Sequence, residues 1–166
     1  DEETVYSFAE LQREIERMAA IYQSLGVKKG DRVLIYMPMV AQATFAILAA
    51  TRIGAIHSVV FGGFASGSLA TRIDDAKPTL IVSSDAGMRG GKAVPYKHLL
   101  DEAIELAEHK PAKVLMIDRG LDKAFNKVAG RDVDYATERA KFMDAKVPCE
   151  WLESSEPSYI LYTSGT

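Results

Sequence analysis

Residues that form disulfides or bind metals are scarce in this sequence of 166 residues. Cys149 is the only cysteine, so the chain can form neither an intrachain disulfide nor a thiolate zinc site. The three histidines (His57, His98 and His109) have no metal-ligand spacing such as H-x-x-x-H. We therefore predict no metal site in the chain, and a reducing, cytoplasmic setting is the simplest interpretation.

Long apolar segments and an excess of positive charge are also missing. The longest apolar run, 45–50, is far shorter than the roughly 20 residues that cross a bilayer, and the acidic start Asp1-Glu2-Glu3 is unlike a signal sequence. Twenty Lys and Arg against 23 Asp and Glu give a net charge of −3, which does not supply the basic surface of a nucleic-acid binder. We expect neither a membrane nor a nucleic acid as partner.

Helical and strand-like segments alternate along the chain. Ser7 and Glu10 have the spacing of a capping box, an apolar stripe then runs to Leu25, and Gly26 suits a left-handed cap. Apolar strands are predicted at 33–37, 55–61, 79–83, 113–117 and 159–162, with helices at 40–53, 66–75 and from Pro95 towards Pro111, and a mixed loop and helix up to Phe142. Continuous apolar strands indicate an α/β fold, with helices on both faces of a doubly wound, mainly parallel sheet in three layers. Ligands bind such sheets at the carboxyl ends of the strands.

Hydroxyl groups cluster around a glycine after the last predicted strand, at Thr163, Ser164, Gly165 and Thr166. Hydroxyl and backbone N–H donors suit an anion, and glycine lets the backbone approach a phosphate closely. An ordinary polar turn explains this spacing equally well.

The segment 85–92 (DAGMRGGK) follows the strand 79–83 and is predicted to be a flexible cationic loop. The guanidinium of Arg89 suits phosphate recognition, with Lys92 as a second cation. The glycine-to-lysine spacing is one residue short of a Walker A loop, and Ala93 stands where that motif needs Ser or Thr. A solvated surface loop is the alternative.

The paired glycines Gly62 and Gly63 end the strand that contains His57, and they permit close approach to a flat ligand or simply form a tight turn. We interpret His57 as a packed strand residue, since no carboxylate lies near it in the sequence. The acidic pairs Asp74-Asp75 and Asp101-Glu102 are predicted to lie on solvated helix faces. The sequence has neither G-x-G-x-x-G nor G-x-S-x-G, which argues against a dinucleotide fold and a serine hydrolase.

Four blocks of sequence are more specific than these patterns. In chain order they are GVKKGDRVLIYMPM, ATRIGAIHSVVFGGFASGSLATRIDDAKP, DAGMRGGK and SYILYTSGT. Together they resemble the AMP-forming acyl-CoA synthetases, and most closely the short-chain members. The resemblance covers nearly the whole chain and is weakest at 119–146. It implies an enzyme that joins a short-chain carboxylate to CoA with ATP and Mg²⁺, with propionate favoured over acetate by overall likeness.

The resemblance also assigns residues. It implies that Thr163, Ser164, Gly165 and Thr166 begin the loop around the ATP phosphates. It implies that Gly63 and the four residues Arg89, Gly90, Gly91 and Lys92 contact CoA, with the two cations on its phosphates. Family members vary at the positions of Gly90 and Lys92, so Arg89 is the safer transfer.

The resemblance implies no catalytic residue in this chain. We predict that residues 1–166 are a single fragment of the N-terminal adenylation domain, cut inside the phosphate-binding loop. The fragment alone is expected to be inactive, with the magnesium ligand and the acyl pocket elsewhere in the parent enzyme. An uncovered apolar face or edge of the sheet is expected to favour self-association. The alternative function is a non-catalytic α/β module that binds a nucleotide or CoA through the segment 89–92.

Overall fold

A computed structural model describes residues 3–62 and 64–163 of the chain. The elements, in chain order, are α1 (Phe8–Ser24), β1 (Arg32–Met37), α2 (Ala41–Arg52), β2 (Ile56–Phe61), α3 (Ser66–Ala76), β3 (Leu80–Ser84), β4 (Gly87–Arg89), β5 (Lys92–Val94), α4 (Tyr96–Leu106), β6 (Lys113–Ile117), β7 (Asp132–Asp134), α5 (Tyr135–Lys141) and β8 (Tyr159–Ile160). The helices and strands predicted from the sequence are present, most of them with bounds within about two residues of the prediction. The three-residue strands β4, β5 and β7 were not predicted, because none of them contains an apolar run.

The main sheet has six strands in the order β7-β6-β3-β1-β2-β8, and every neighbouring pair is parallel. From β1 the chain passes to β2 on one side and then to β3 on the other, so the winding direction reverses between β1 and β3. Such a reversal opens a crevice at the carboxyl edge of the sheet, which is where ligands bind in doubly wound folds. The fold class predicted from the sequence is confirmed.

The sheet is covered by helices on both faces, which explains why its central strands are apolar throughout. In β1, Val33 and Ile35 pack in the core beneath α1 and α2, whereas Leu34 and Tyr36 pack in the core beneath α3 and α4. Side chains alternate between the faces of a strand, so each face needs its own apolar set. The result is a three-layer sandwich with two separate cores.

The first helix begins and ends where the sequence predicts. Ser7 and Glu10 form a complete capping box, in which each side chain accepts a hydrogen bond from the backbone N–H of the other. Gly26 follows the C-cap residue with φ of +90°, a conformation that glycine adopts without strain. Among the described residues, no helix combines the length and the apolar character needed to cross a bilayer.

A buried ionic cluster fastens the β7 edge of the sheet to α4. The Lys97 ammonium is 1% exposed and lies 2.9 Å from an oxygen of Asp132, and it also contacts Asp101. Arg131 pairs with both carboxylates. Burial raises the pKa of Asp132, but hydrogen bonds from Arg131, the Val128 N–H and Lys97 outweigh it and lower the pKa overall. The prediction that Asp101 lies on a merely solvated face is therefore wrong.

Candidate functional site

A cavity of about 610 Å³ lies at the carboxyl edge of the sheet, beside the reversal between β1 and β3. Its walls come from the segment 37–40 after β1, from Gly62 after β2, from Met88 and Arg89 of β4, and from Leu161 after β8. The structure therefore brings residues from two of the predicted ligand-binding segments to one cavity: Gly62 from the first, and Met88 and Arg89 from the second. Residues 63, 164, 165 and 166 lie outside the described part of the chain, so the predicted site residues Gly63, Ser164, Gly165 and Thr166 are without a structural account.

The cationic segment forms an antiparallel hairpin of β4 and β5 rather than a flexible loop. Gly90 and Gly91 form its two-residue turn with φ of +56° and +76°, and positive φ at both central residues is typical of a type I′ turn. Arg89 and Lys92 are directly paired across the hairpin. The spacing R-G-G-K thus places two exposed cationic side chains next to each other, a relationship that the loop prediction did not contain.

Tyr96 is a wall residue of the cavity that the sequence patterns did not single out. Its ring packs against both glycines that flank it: a Cβ placed on Gly62 would lie 1.9 Å from its Oη, and one on Gly87 would lie 2.9 Å from its Cζ. The same ring stacks on Tyr36 with 5.0 Å between centroids. The close approach expected at the glycine pair is therefore made, at Gly62, by a side chain of the chain itself.

The electrostatics of Tyr96 report on the charge of the cavity. Burial raises the pKa of the Tyr96 hydroxyl, and the positive charges of Arg119 and Arg89 partly oppose that rise. Arg119 lines the cavity from the loop after β6. Two guanidinium groups, Arg89 of the hairpin strand β4 and Arg119 of the loop after β6, thus act on the same tyrosine.

Asp85 holds the loop that carries Arg119, and sequence reasoning missed this role. Its side chain is fully buried directly after β3, and it accepts hydrogen bonds from the backbone N–H groups of Arg119, Leu121 and Asp122 at 2.7–3.0 Å. Burial raises the pKa of its carboxyl, but backbone donors that include Ala86 outweigh it and lower the pKa overall. The sequence does place an acidic residue directly after a buried strand. That position could have indicated a carboxylate that accepts hydrogen bonds from the backbone of a neighbouring loop.

The start of the predicted ATP-phosphate segment lies beside the loop after β2. The guanidinium of Arg72 on α3 lies 4.3 Å from the ring centroid of Phe64 and 5.0 Å from that of Tyr162. The Tyr162 hydroxyl donates a hydrogen bond of 2.6 Å to Asp75, and burial together with this bond raises the pKa of Tyr162 to about 12. These contacts fix the chain just before Thr163 at the carboxyl end of β8.

The remaining polar candidates stay outside the cavity. His57 is half-buried, its ring lies 5.8 Å from that of Tyr159, and burial lowers its pKa. Asp74 accepts a hydrogen bond from the backbone of His109 at 2.8 Å and therefore closes a helix-to-strand connection. Glu102 accepts a hydrogen bond from Ser66 and joins α4 to α3. Within residues 3–62 and 64–163 no group of three or more acidic, His or Cys side chains is arranged to hold a metal ion.

Known proteins resemble this chain in sequence over its whole length. A family profile described as AMP-binding enzyme matches residues 1–166. The propionate–CoA ligase of Escherichia coli K12 is 60% identical over all 166 residues, and that of Salmonella typhimurium LT2 is 61% identical. The mitochondrial acyl-CoA synthetase short-chain family member 3 of Rattus norvegicus is 44% identical over the same span. The chain covers 26%, 26% and 24% of these three proteins.

A solved structure extends the likeness from sequence to fold. The acetoacetyl-CoA synthetase of Streptomyces lividans superposes with a TM-score of 0.85 and 28% sequence identity. The superposition covers 99% of this chain and 24% of that structure.

Proposed function

The chain belongs to the AMP-binding enzyme family, and from this premise we propose that it forms part of an ATP-dependent, AMP-forming acid–CoA ligase with a preference for propionate. The observation that carries the proposal is the identity of 60% and 61% to two propionate–CoA ligases over every residue of the chain. Since the chain covers about a quarter of their length, we propose that it supplies one segment of the adenylation domain and is inactive by itself. The same comparison gives acetate no support as the main substrate.

The proposed reaction has two steps. The carboxylate of the acid attacks the α-phosphate of ATP, so that a C–O–P linkage forms and pyrophosphate leaves. The thiolate of CoA then attacks the acyl carbon, and AMP leaves. Thr163, Ser164, Gly165 and Thr166 contribute to the first step by donating hydrogen bonds to the ATP phosphates.

The second step uses the hairpin. Arg89 and Lys92 pair with phosphate groups of CoA, while Gly90 and Gly91 contact the same ligand and form the turn that pairs the two cations across the hairpin. Gly63 lets the backbone approach the same ligand. The location supports this assignment, because Arg89 and Gly62 line a single cavity at the carboxyl edge of the sheet.

Magnesium is part of the proposal only because the family resemblance implies it. When bound to the ATP phosphates it would neutralise charge that develops on them. The part of the chain that the structure describes contains no cluster of acidic side chains suited to it. We therefore assign no residue of this chain to the metal. We also propose that the protein is cytoplasmic, that its partners are small molecules, and that this segment can self-associate through the sheet edge formed by β8.

The decisive experiment uses the full-length ligase that contains this chain. Propionate-dependent exchange of pyrophosphate into ATP, without CoA, measures the first step, and formation of propionyl-CoA measures both. We expect exchange with propionate, and a higher kcat/KM for propionate than for acetate. No exchange with any short-chain acid would contradict the ligase assignment, and a higher value for acetate would contradict only the preference.

The alternative is a non-catalytic module that binds CoA or a nucleotide through the hairpin. It predicts that substitutions at Arg89 weaken ligand binding in a protein without exchange activity. A full-length protein that binds CoA tightly and supports neither step would favour this alternative.

A further inference from the structure

Arg119 lines the same cavity as the hairpin residue Arg89. It follows β6 by two residues, and its side chain lines the cavity together with Arg89 and Tyr96. Neither the composition nor the family resemblance predicted a role for Arg119, since it falls at the start of the stretch 119–146, where the resemblance is weakest. The parallel order β6-β3-β1 brings it to the carboxyl edge.

The residue is held in place from two sides. Its backbone N–H donates a hydrogen bond of 3.0 Å to Oδ1 of the buried Asp85, and its Nη1 donates one of 3.1 Å to the carbonyl oxygen of Ala86. A guanidinium has five N–H donors, and the bond to Ala86 uses one of them. Within the described ranges no carboxylate oxygen lies within 4.0 Å of this guanidinium.

The surroundings favour an anion. The described residues that line the cavity include no Asp or Glu, and apart from Arg89 and Arg119 they carry no charge. Arg89 and Arg119 therefore give this largely apolar cavity a positive charge, which attracts an anion. Both charges also act on the Tyr96 hydroxyl, which indicates that they are close to the same wall.

We propose that Arg119 is a further cationic ligand for the phosphate groups of CoA, acting from the loop after β6 in addition to Arg89 and Lys92 of the hairpin. This inference rests on the proposed ligase function, and it adds a residue from the β6 loop to the hairpin. The backbone bond to Asp85 orients the loop, and the bond to Ala86 leaves the guanidinium able to donate to phosphate oxygens.

The test is steady-state kinetics of the full-length ligase with the variants Arg119→Ala and Arg119→Gln. The glutamine variant keeps an N–H donor for the Ala86 carbonyl and removes only the charge. We expect the KM for CoA to rise about tenfold or more in both variants, since a hydrogen bond between charged groups is lost, while pyrophosphate exchange without CoA stays at the unsubstituted rate. Repeating the assay with CoA that lacks the 3′-phosphate identifies the group: a penalty that disappears assigns the 3′-phosphate, and a penalty that persists assigns the diphosphate.

Lys123→Ala is the matched control, because it removes a positive charge from an exposed position of the same loop that does not line the cavity. An unchanged KM for CoA in Arg119→Gln would overturn the inference. So would an equal loss in the exchange reaction, or an equal rise in KM in Lys123→Ala. These outcomes differ from failure of the ligase assignment, in which the unsubstituted enzyme itself shows no exchange.

Discussion

The ring of Tyr96 fills the space that a side chain at position 62 would need. A Cβ on Gly62 would lie 1.9 Å from Oη and 2.3 Å from Cζ of Tyr96. Atoms at such separations cannot coexist, so the tyrosine at the start of α4 is compatible only with glycine after β2. This contact joins two elements of the cavity wall and lies next to the residues expected to meet CoA.

Replacing Gly62 with alanine tests this contact. We expect Gly62→Ala to lower the free energy of unfolding by about 2 kcal/mol, since the ring of Tyr96 must move within a packed wall. Combining it with Tyr96→Ala should cost less than the sum of the two single changes, because the clash is then absent. Thermal or denaturant unfolding measures both. Gly67→Ala on α3 is the control: a Cβ there meets nothing within 4 Å, and we expect no loss of stability. Additivity of the two cavity substitutions would contradict the contact.

The turn of the hairpin provides a second prediction. Gly90 has φ of +56°, a conformation that valine adopts only with strain of about 1–3 kcal/mol and that asparagine tolerates well. We expect Gly90→Val to raise the KM for CoA because it misaligns Arg89 and Lys92, and Gly90→Asn to leave it nearly unchanged. Steady-state assays of propionyl-CoA formation measure both variants. Equal effects of valine and asparagine would show that the turn conformation does not control the site.

The third prediction concerns the binding of CoA by Arg89. Removing it in Arg89→Ala should cost about 1.5–3 kcal/mol, a roughly tenfold to hundredfold fall in kcat/KM for CoA, and should leave adenylation largely intact. Comparing pyrophosphate exchange with thioester formation separates the two steps. Arg13→Ala, at an exposed position on α1, is expected to change neither. Equal loss in both half-reactions would refute a role in CoA binding.

Acid stability should depend on Asp85. Burial raises the pKa of its carboxyl, but backbone donors outweigh burial and hold the pKa below its ordinary value in the folded protein, so its contribution is complete above that ordinary value and is lost as the pH falls through the lowered pKa. We expect Asp85→Asn to lower the unfolding free energy by about 2 kcal/mol near neutral pH, with a smaller difference from the unsubstituted protein in acid.

The midpoint of denaturant unfolding, followed from about pH 7 to about pH 2, measures this dependence. Glu105→Gln removes an exposed carboxylate from α4 and should keep the acid slope of the unsubstituted protein. If Asp85→Asn also kept that slope, the carboxylate of Asp85 would not be responsible for it.

Local sequence determined the elements of this fold. The capping box at Ser7 and the apolar stripe after it predict α1, and continuous apolar strands predict helices on both faces, because both signals depend on residues within a few positions of each other. The motif R-G-G-K also favours a tight turn, since two glycines between paired residues permit positive φ at both positions. The prediction of a loop failed because the three-residue strands on either side have no apolar pattern of their own.

The cavity wall depended on tertiary structure. Asp85 and Arg119 are 34 positions apart, and they meet because β6 pairs with β3 in parallel, which no local pattern encodes. Gly62 and Tyr96 are likewise distant in sequence. Gly62 follows β2 on one side of β1, whereas Tyr96 begins α4, the helix that leads to β6 on the other side. Sequence alone therefore established the longer helices, five of the six strands of the main sheet, the fold class and the cationic segment, since these follow from backbone preference and periodicity. Only the packing of distant strands decided which side chains share the cavity, because that is a property of strand order and not of spacing along the chain.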